Sequence, residues 1–99
     1  MLEFRLATFA GHAGTDFQVI EAAAVASTLR LAEIKEHAGA PNQESFSLLF
    51  IGPPDVFLGQ GTRRLRHAAL GEFELFLVPV GKIEAGFQYE AVFNLLLQQ

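Results

Sequence analysis

The feature that most restricts how this chain can fold is a strict period of two near its C-terminal end. Phe87, Tyr89, Ala91 and Phe93 alternate with Gln88, Glu90, Val92 and Asn94, and only an extended strand sends successive side chains to opposite faces at this period. One face is core and the other is mostly wet. Upstream, Phe46, Leu48 and Phe50 share one strand face while Ser47, Leu49 and Ile51 share the other. A strand apolar on most of both sides belongs at the centre of a sheet or beneath another segment. Gly52, Pro53 and Pro54 stop it, because proline cannot donate to a ladder and restricts the residue before it.

Between these two strands lies a hairpin whose turn chemistry can be read. Ala69, Leu70 and Gly71 suit a three-residue loop with Gly71 left-handed. That loop sets Ala68 against Glu72, Leu65 against Leu75 and Arg66 against Glu74, leucines on one face and opposite charges on the other. The second arm, Phe73–Val80, starts with alternation and becomes continuously apolar. It needs cover on both faces, from barrel closure, the N-terminal arm or another subunit. Pro79 places its far end at an edge or a bulge, and GKIEAG over 81–86 connects it to the last strand.

The segment from Asp16 to His37 supports two readings. Its alanines favour a helix, for which Gly39 would be a good terminator. Against this, Phe17 and Val19 alternate with Gln18, and Leu29 and Leu31 with Thr28 and Arg30. The phase then slips to Ile34, as a β-bulge near Ala32 and Glu33 would produce. Helix and hairpin both stay open over 20–37; we adopt two strands, Phe17–Ala22 and Ser27–Glu36, with a turn around Ala23 to Ala26. Ahead of them, Leu2–Gly14 reads as a short helical plug or irregular arm, and His37–Glu44 reads as a mobile linker. Leu95, Leu96 and Leu97 either extend the last strand or dock on a partner chain.

These elements define an all-β fold: a small antiparallel barrel or rolled sheet of about six strands with a short N-terminal helical or irregular arm, in a single domain over 1–99. With 99 residues and 51% hydrophobic content the chain can bury one core. Ten Phe beside one Tyr and no Trp suit that core better than a wet binding face. The absence of cysteine excludes disulfides, thiolate zinc sites and thiol nucleophiles. A net charge of −4 argues against nucleic acid as a partner. No apolar run reaches the roughly 20 residues of a membrane span, and MLEFRLATF lacks a secretory signal pattern, so the expectation is a soluble cytoplasmic protein.

Candidate chemistry is sparse. His12, His37, His67, Asp16 and Asp55 are scattered without metal-ligand spacing, and no nucleophile lies near a base in the hairpin register. No catalytic residue, metal or cofactor is assigned, and an enzyme is not expected. In the Asp55–Gly61 loop, Phe57 and Leu58 should tuck against the core while Asp55 caps a turn. The functional alternative is a ligand or partner loop using Asp55, Phe57 and Gln60, with Arg64 as a further contact. Arg64 and Arg66 share a strand side and Arg63 does not, which weakens them as an anion site and favours an exposed charged face.

Residues from about Leu29 to Asn94 resemble a small bacterial domain family of unknown function. The carriers are FSLLF and GP within Phe46–Pro53, FLGQGT at Phe57–Thr62, Leu65, His67, Leu70 and Gly71, LFLVPVG at Leu75–Gly81, and YEAVFN at Tyr89–Asn94. Where related sequences look like a polar hairpin turn, this chain has EAAAVAST. The resemblance implies an all-β fold with no established activity, and a place beside phage-tail-like or surface-fibre proteins. The resulting expectation is a non-catalytic structural or protein-interaction module that assembles with itself or another protein. The alternative is a barrel binding a small ligand or peptide through the 52–61 loop.

Overall fold

The computed structural model describes residues 3–38 and 40–96; the expectations that touch Leu2, Gly39 and Leu97 lie outside the described residues. One short helix, α1 (Leu6–Ala10), precedes six strands: β1 (Asp16–Glu21), β2 (Ala24–His37), β3 (Gln43–Gly52), β4 (Gly61–His67), β5 (Gly71–Ile83) and β6 (Gly86–Leu96). They form a closed ring in the order β1-β2-β3-β6-β5-β4. Every neighbouring pair is antiparallel, including the closing pair of β1 and β4.

The inward sets follow from the alternation. β3 and β6 pair Phe46 with Phe93, Leu48 with Ala91 and Phe50 with Tyr89, so the apolar faces of two strands meet across the interior. Phe46, Leu48, Phe50 and Tyr89 are fully buried beside Phe17, Val19, Leu29, Leu31, Leu65 and Leu77. Between β2 and β3 the register slips from Leu31–Phe50 to Glu33–Leu49. Ala32 is the extra residue of a bulge that returns Ile34 to the inner face, as the slipped alternation requires.

Residues 20–37 form the hairpin rather than the helix, with a turn shorter than its composition suggests. Ala22 and Ala23 alone make it, at φ of 50° and 64°, and Ala24, Val25 and Ala26 already belong to β2. A second slip, between Val19–Ser27 and Ile20–Val25, leaves Ala26 unpaired. Two-residue hairpins of this hand favour Asn-Gly, since both central residues need positive φ. An alanine run carries no such signature, which is why the turn reads as longer from sequence.

The β4–β5 hairpin also differs in detail. His67 lies opposite Gly71, Arg66 opposite Glu72, Leu65 opposite Phe73 and Arg64 opposite Glu74. The loop is therefore Ala68–Leu70, and the expected register is offset by two residues on the partner strand. An even offset keeps every side chain on its face. The face assignment stands, and the Arg66–Glu74 and Leu65–Leu75 partnerships are corrected. Gly71 has the left-handed conformation expected of it, at φ 79°. The 81–86 connection is likewise shorter, since β5 runs on to Ile83 and β6 begins at Gly86. The irregularity near Pro79 is a bulge at Val80, between Pro79–Tyr89 and Gly81–Gln88.

A ring this narrow needs cover at both ends. At one end the N-terminal arm supplies it: Phe9 is fully buried, and its ring lies 6.0–6.3 Å from those of Phe46, Phe73 and Phe93. Phe4 lies 5.9 Å from both Phe73 and Phe93. This contact bridges a seam. β5 and β6 pair from Val78–Glu90 toward their turn, and no pairing joins 71–77 to 91–96 among the described residues. Glu44 anchors the arm, its carboxylate accepting from Arg5 Nε and Nη2 at 3.2 Å each and from the Leu6 amide at 2.7 Å. At the other end the 53–60 loop inserts Leu58. There β3 and the start of β6 touch so closely that a Cβ on Gly86 would lie 1.7 Å from the Gly52 carbonyl oxygen.

The two left-handed alanines cost of the order of 1 kcal/mol each relative to residues that accept that conformation. Replacing Ala22 by Asn together with Ala23 by Gly should raise the unfolding free energy by about 1 kcal/mol, read as a later urea midpoint with an unchanged slope.

Candidate functional site

The 53–60 loop divides its side chains between core and solvent. Leu58 is buried, and its amide donates to Tyr89 Oη at 2.9 Å. Tyr89 thus spans the interior, with its ring in the core and its hydroxyl on the loop backbone. Arg63, on the inner side of β4, steadies the same loop by donating from Nη2 to the Gly59 carbonyl at 2.7 Å. Phe57 differs from expectation. It is 59% exposed, and its ring packs edge-on against Phe87 at 5.1 Å rather than entering the core. Val56 and Leu58 pack on the core cluster instead, so the loop sends its alternate residues inward. Asp55 and Gln60 are also exposed.

Arg64 stands apart from that loop's polar residues on the outer face of β4. It forms a ladder with Arg66, Glu72 and Glu74: Arg66 reaches Glu72 at 3.0 Å, and Arg64 reaches Glu72 and Glu74 at 3.6 and 3.7 Å. Each arginine has carboxylate partners, so the group carries no surplus positive charge for an anion. Such exposed pairs contribute little stability, about 0–1 kcal/mol each.

Sequence order gives no hint of a second cluster. His12 and His67, 55 residues apart in the chain, place their ring centroids 4.7 Å apart, and the Phe17 ring lies 4.4 Å from that of His67. His67 Nδ1 accepts from the amides of Ala69 and Leu70 at 3.0 and 3.2 Å, while Nε2 lies 2.9 Å from Thr15 Oγ1. A nitrogen facing two amide donors holds no proton, so Nε2 carries it and donates to Thr15. The Thr15 hydroxyl in turn donates to the His12 carbonyl at 2.6 Å. This direction of donation leaves no base available to activate the hydroxyl. Burial first, and the neighbouring His12 second, hold the His67 imidazole below its ordinary value. His37 is elsewhere, bonded to Ser47 Oγ at 3.0 Å. Among the described residues no three His, Asp or Glu side chains converge as metal ligands.

An open cleft of about 840 Å³ beside His67 is lined by Asp16, Gln18, Thr28, Arg66 and Glu72, and one of about 530 Å³ lies between Arg30, Ile51 and Ala85. Neither includes the sequence candidates Asp55, Phe57, Gln60 or Arg64. The apolar surface lies on another side. Of seven large apolar residues that stand exposed among those described, Phe76, Val80 and Ile83 belong to β5 and Val92 and Leu96 to β6. Val78 pairs with Glu90, so two residues further along Phe76 and Val92 flank the seam with both side chains outward. The apolar run on both faces of Phe73–Val80 was the sequence signal for this patch; closure covers its inner face and leaves the outer face bare.

Fold and surface together define a small closed β-domain with two plugged ends and exposed apolar residues concentrated on β5 and β6. The chain belongs to the family of the domain of unknown function DUF6916, which it matches over residues 4–93. No curated protein and no solved structure matches it. No described helix is long and apolar enough to cross a membrane.

Removing the Tyr89 hydroxyl would orphan the buried Leu58 amide, at a cost of about 1–3 kcal/mol. Tyr89→Phe should therefore lower the urea midpoint and speed proteolytic cleavage within 53–60, and both are measurable on the purified domain.

Proposed function

We propose that this domain is a non-catalytic protein-interaction module that meets its partner, a second copy or another protein, through the outer side of β5 and β6. The observation that carries the reading is the concentration of five of the seven exposed large apolar residues on these two strands. Scattered single apolar residues are ordinary on a protein surface, whereas a contiguous group marks a contact site. Arg64 and Glu74 border Phe76 on the β4 side, and the half-buried Glu90, paired with Val78, stands among the apolar residues as a polar contact. An accessory place in a phage-tail-like or surface assembly fits this reading. On the same reading the domain works in the cytoplasm and not on nucleic acid, which its net charge of −4 disfavours.

A second reading rests on Phe57, whose exposed ring stands on Phe87 in the loop that also exposes Asp55 and Gln60. That surface would take a peptide or small ligand as a flat aromatic contact.

A photo-crosslinking residue placed at Phe76, in the cell that makes the protein, should capture one defined protein species. The same residue at Thr28, on the outer face of β2, should capture none. Phe76→Lys combined with Val92→Lys should abolish capture by a probe at Leu96 while shifting the unfolding free energy by less than about 0.5 kcal/mol, as for other exposed substitutions. Equal capture from Phe76 and Thr28, or none from Phe76, would count against the interface; capture from Phe57 alone would favour the second reading.

A further inference from the structure

We propose that the contact of His67 with Thr15 and His12 is an acid-opened latch that holds the N-terminal arm in the end of the barrel. The arm is fastened to the barrel by a small set of polar bonds. Glu44 takes Arg5 and the Leu6 amide, and the backbone of β2 exchanges bonds with Gly14 and Thr15 through Leu31, at 2.6 and 3.0 Å. His67 holds the Thr15 side chain. A single direction of donation runs from His67 Nε2 through the Thr15 hydroxyl to the His12 carbonyl, and the His12 amide closes back on the Phe9 carbonyl at 2.9 Å. Phe9 is the residue that fills the barrel end.

This arrangement admits one protonation state. A second proton on His67 would sit on Nδ1 and point at the amide hydrogens of Ala69 and Leu70. Two hydrogen bonds would become two opposed donors around a side chain that is only 6% exposed, so protonation costs the turn amides their acceptor. The surrounding groups reinforce this. From the arm, the His12 ring stands 4.7 Å away and would repel a charged partner. From β1, Phe17 covers one ring face, and Asp16 and Gln18 line the neighbouring cleft with Thr28 of β2. Arg66, on His67's own strand, is neutralised by Glu72 of β5 at 3.0 Å. Asp16 and Glu72 are the carboxylates that would welcome an imidazolium, yet both ring nitrogens already have other partners.

Acid acts in one direction here. The imidazole of folded His67 lies below its ordinary value, so its contribution is complete above the unfolded value of about 6.5 and is lost as pH falls from there through the folded value. Glu44, the other anchor, is held below the ordinary carboxylate range by its hydrogen bond from Arg5 first and from the Leu6 amide second. It lets go only in stronger acid. Between the two ranges the arm is held at Glu44 and loosened at Thr15, which frees Phe9 and uncovers Phe46, Phe73 and Phe93 along the seam.

Amide hydrogen exchange over residues 3–15 at pH 7.5 and pH 5.0, corrected for the intrinsic rate, tests the latch. In the native protein, protection of the arm should fall about tenfold or more at the lower pH while that of β3 and β6 holds. His67→Asn keeps an oxygen acceptor for the turn amides without a titrating group, and its arm protection should be the same at both values. Unchanged protection in the native protein, or an equal loss in His67→Asn, would overturn the proposal. If that variant does not fold, nitrogen NMR of native His67 decides the matter. The Nε2–H tautomer with titration below about 6.5 is required, and an Nδ1–H tautomer or titration at or above that value would refute the latch.

Discussion

The structure depends on a closure three residues long. β1 meets β4 only at Gln18–Arg66, Val19–Leu65 and Ile20–Arg64, and without those pairs the ring would be an open sheet with two free edges and an exposed inner face. The central pair places Val19 against Leu65, both fully buried, so the backbone ladder and the core reinforce one another at the same point. A closure this short cannot extend to the barrel ends. The arm and the 53–60 loop complete what the strands leave open, one with Phe4 and Phe9 and the other with Val56 and Leu58.

The two plugs are held by different physics. At the loop end a single phenol hydroxyl and one guanidinium satisfy backbone groups of the loop. At the arm end a carboxylate and an imidazole do the work, and both change charge as acid is added. Outside the ring there is a similar contrast. β4 and the first half of β5 carry a compensated ladder of arginines and glutamates, while the remainder of β5 and β6 carry the apolar residues from which we argue a partner surface.

Much of the fold was legible because its strands alternate strictly. The inward faces of β3, β4 and β6, the bulge at Ala32 and the left-handed Gly71 all follow from period and turn chemistry. Over 20–37 the sequence leaves helix and hairpin both open: the slipped phase favours strands, the alanines prefer the helix locally, and pairing along both edges of β1 overrides that preference. What could not be read depended on contacts distant in sequence. The β4–β5 register turns on the His67 ring capping its own loop, and the adjacency of His12 and His67 on how the arm crosses the barrel end. The exposure of Phe57 reflects which residues of a non-repeating loop take the inward places. Of the sequence candidates, Asp55, Phe57 and Gln60 are exposed residues of one loop, and Arg64 belongs to a separate charged face.

Tyr89 has a consequence that is optical rather than energetic. It is the chain's one tyrosine, and there is no tryptophan. The intrinsic ultraviolet emission of the folded domain therefore comes from a single phenol, buried in the core and bonded through its hydroxyl to the loop that seals one end. Any event that opens that end changes the light from one known atom group, while disturbance confined to the arm reaches it only through the core. The domain thus reports on the opening of its loop end without an attached label.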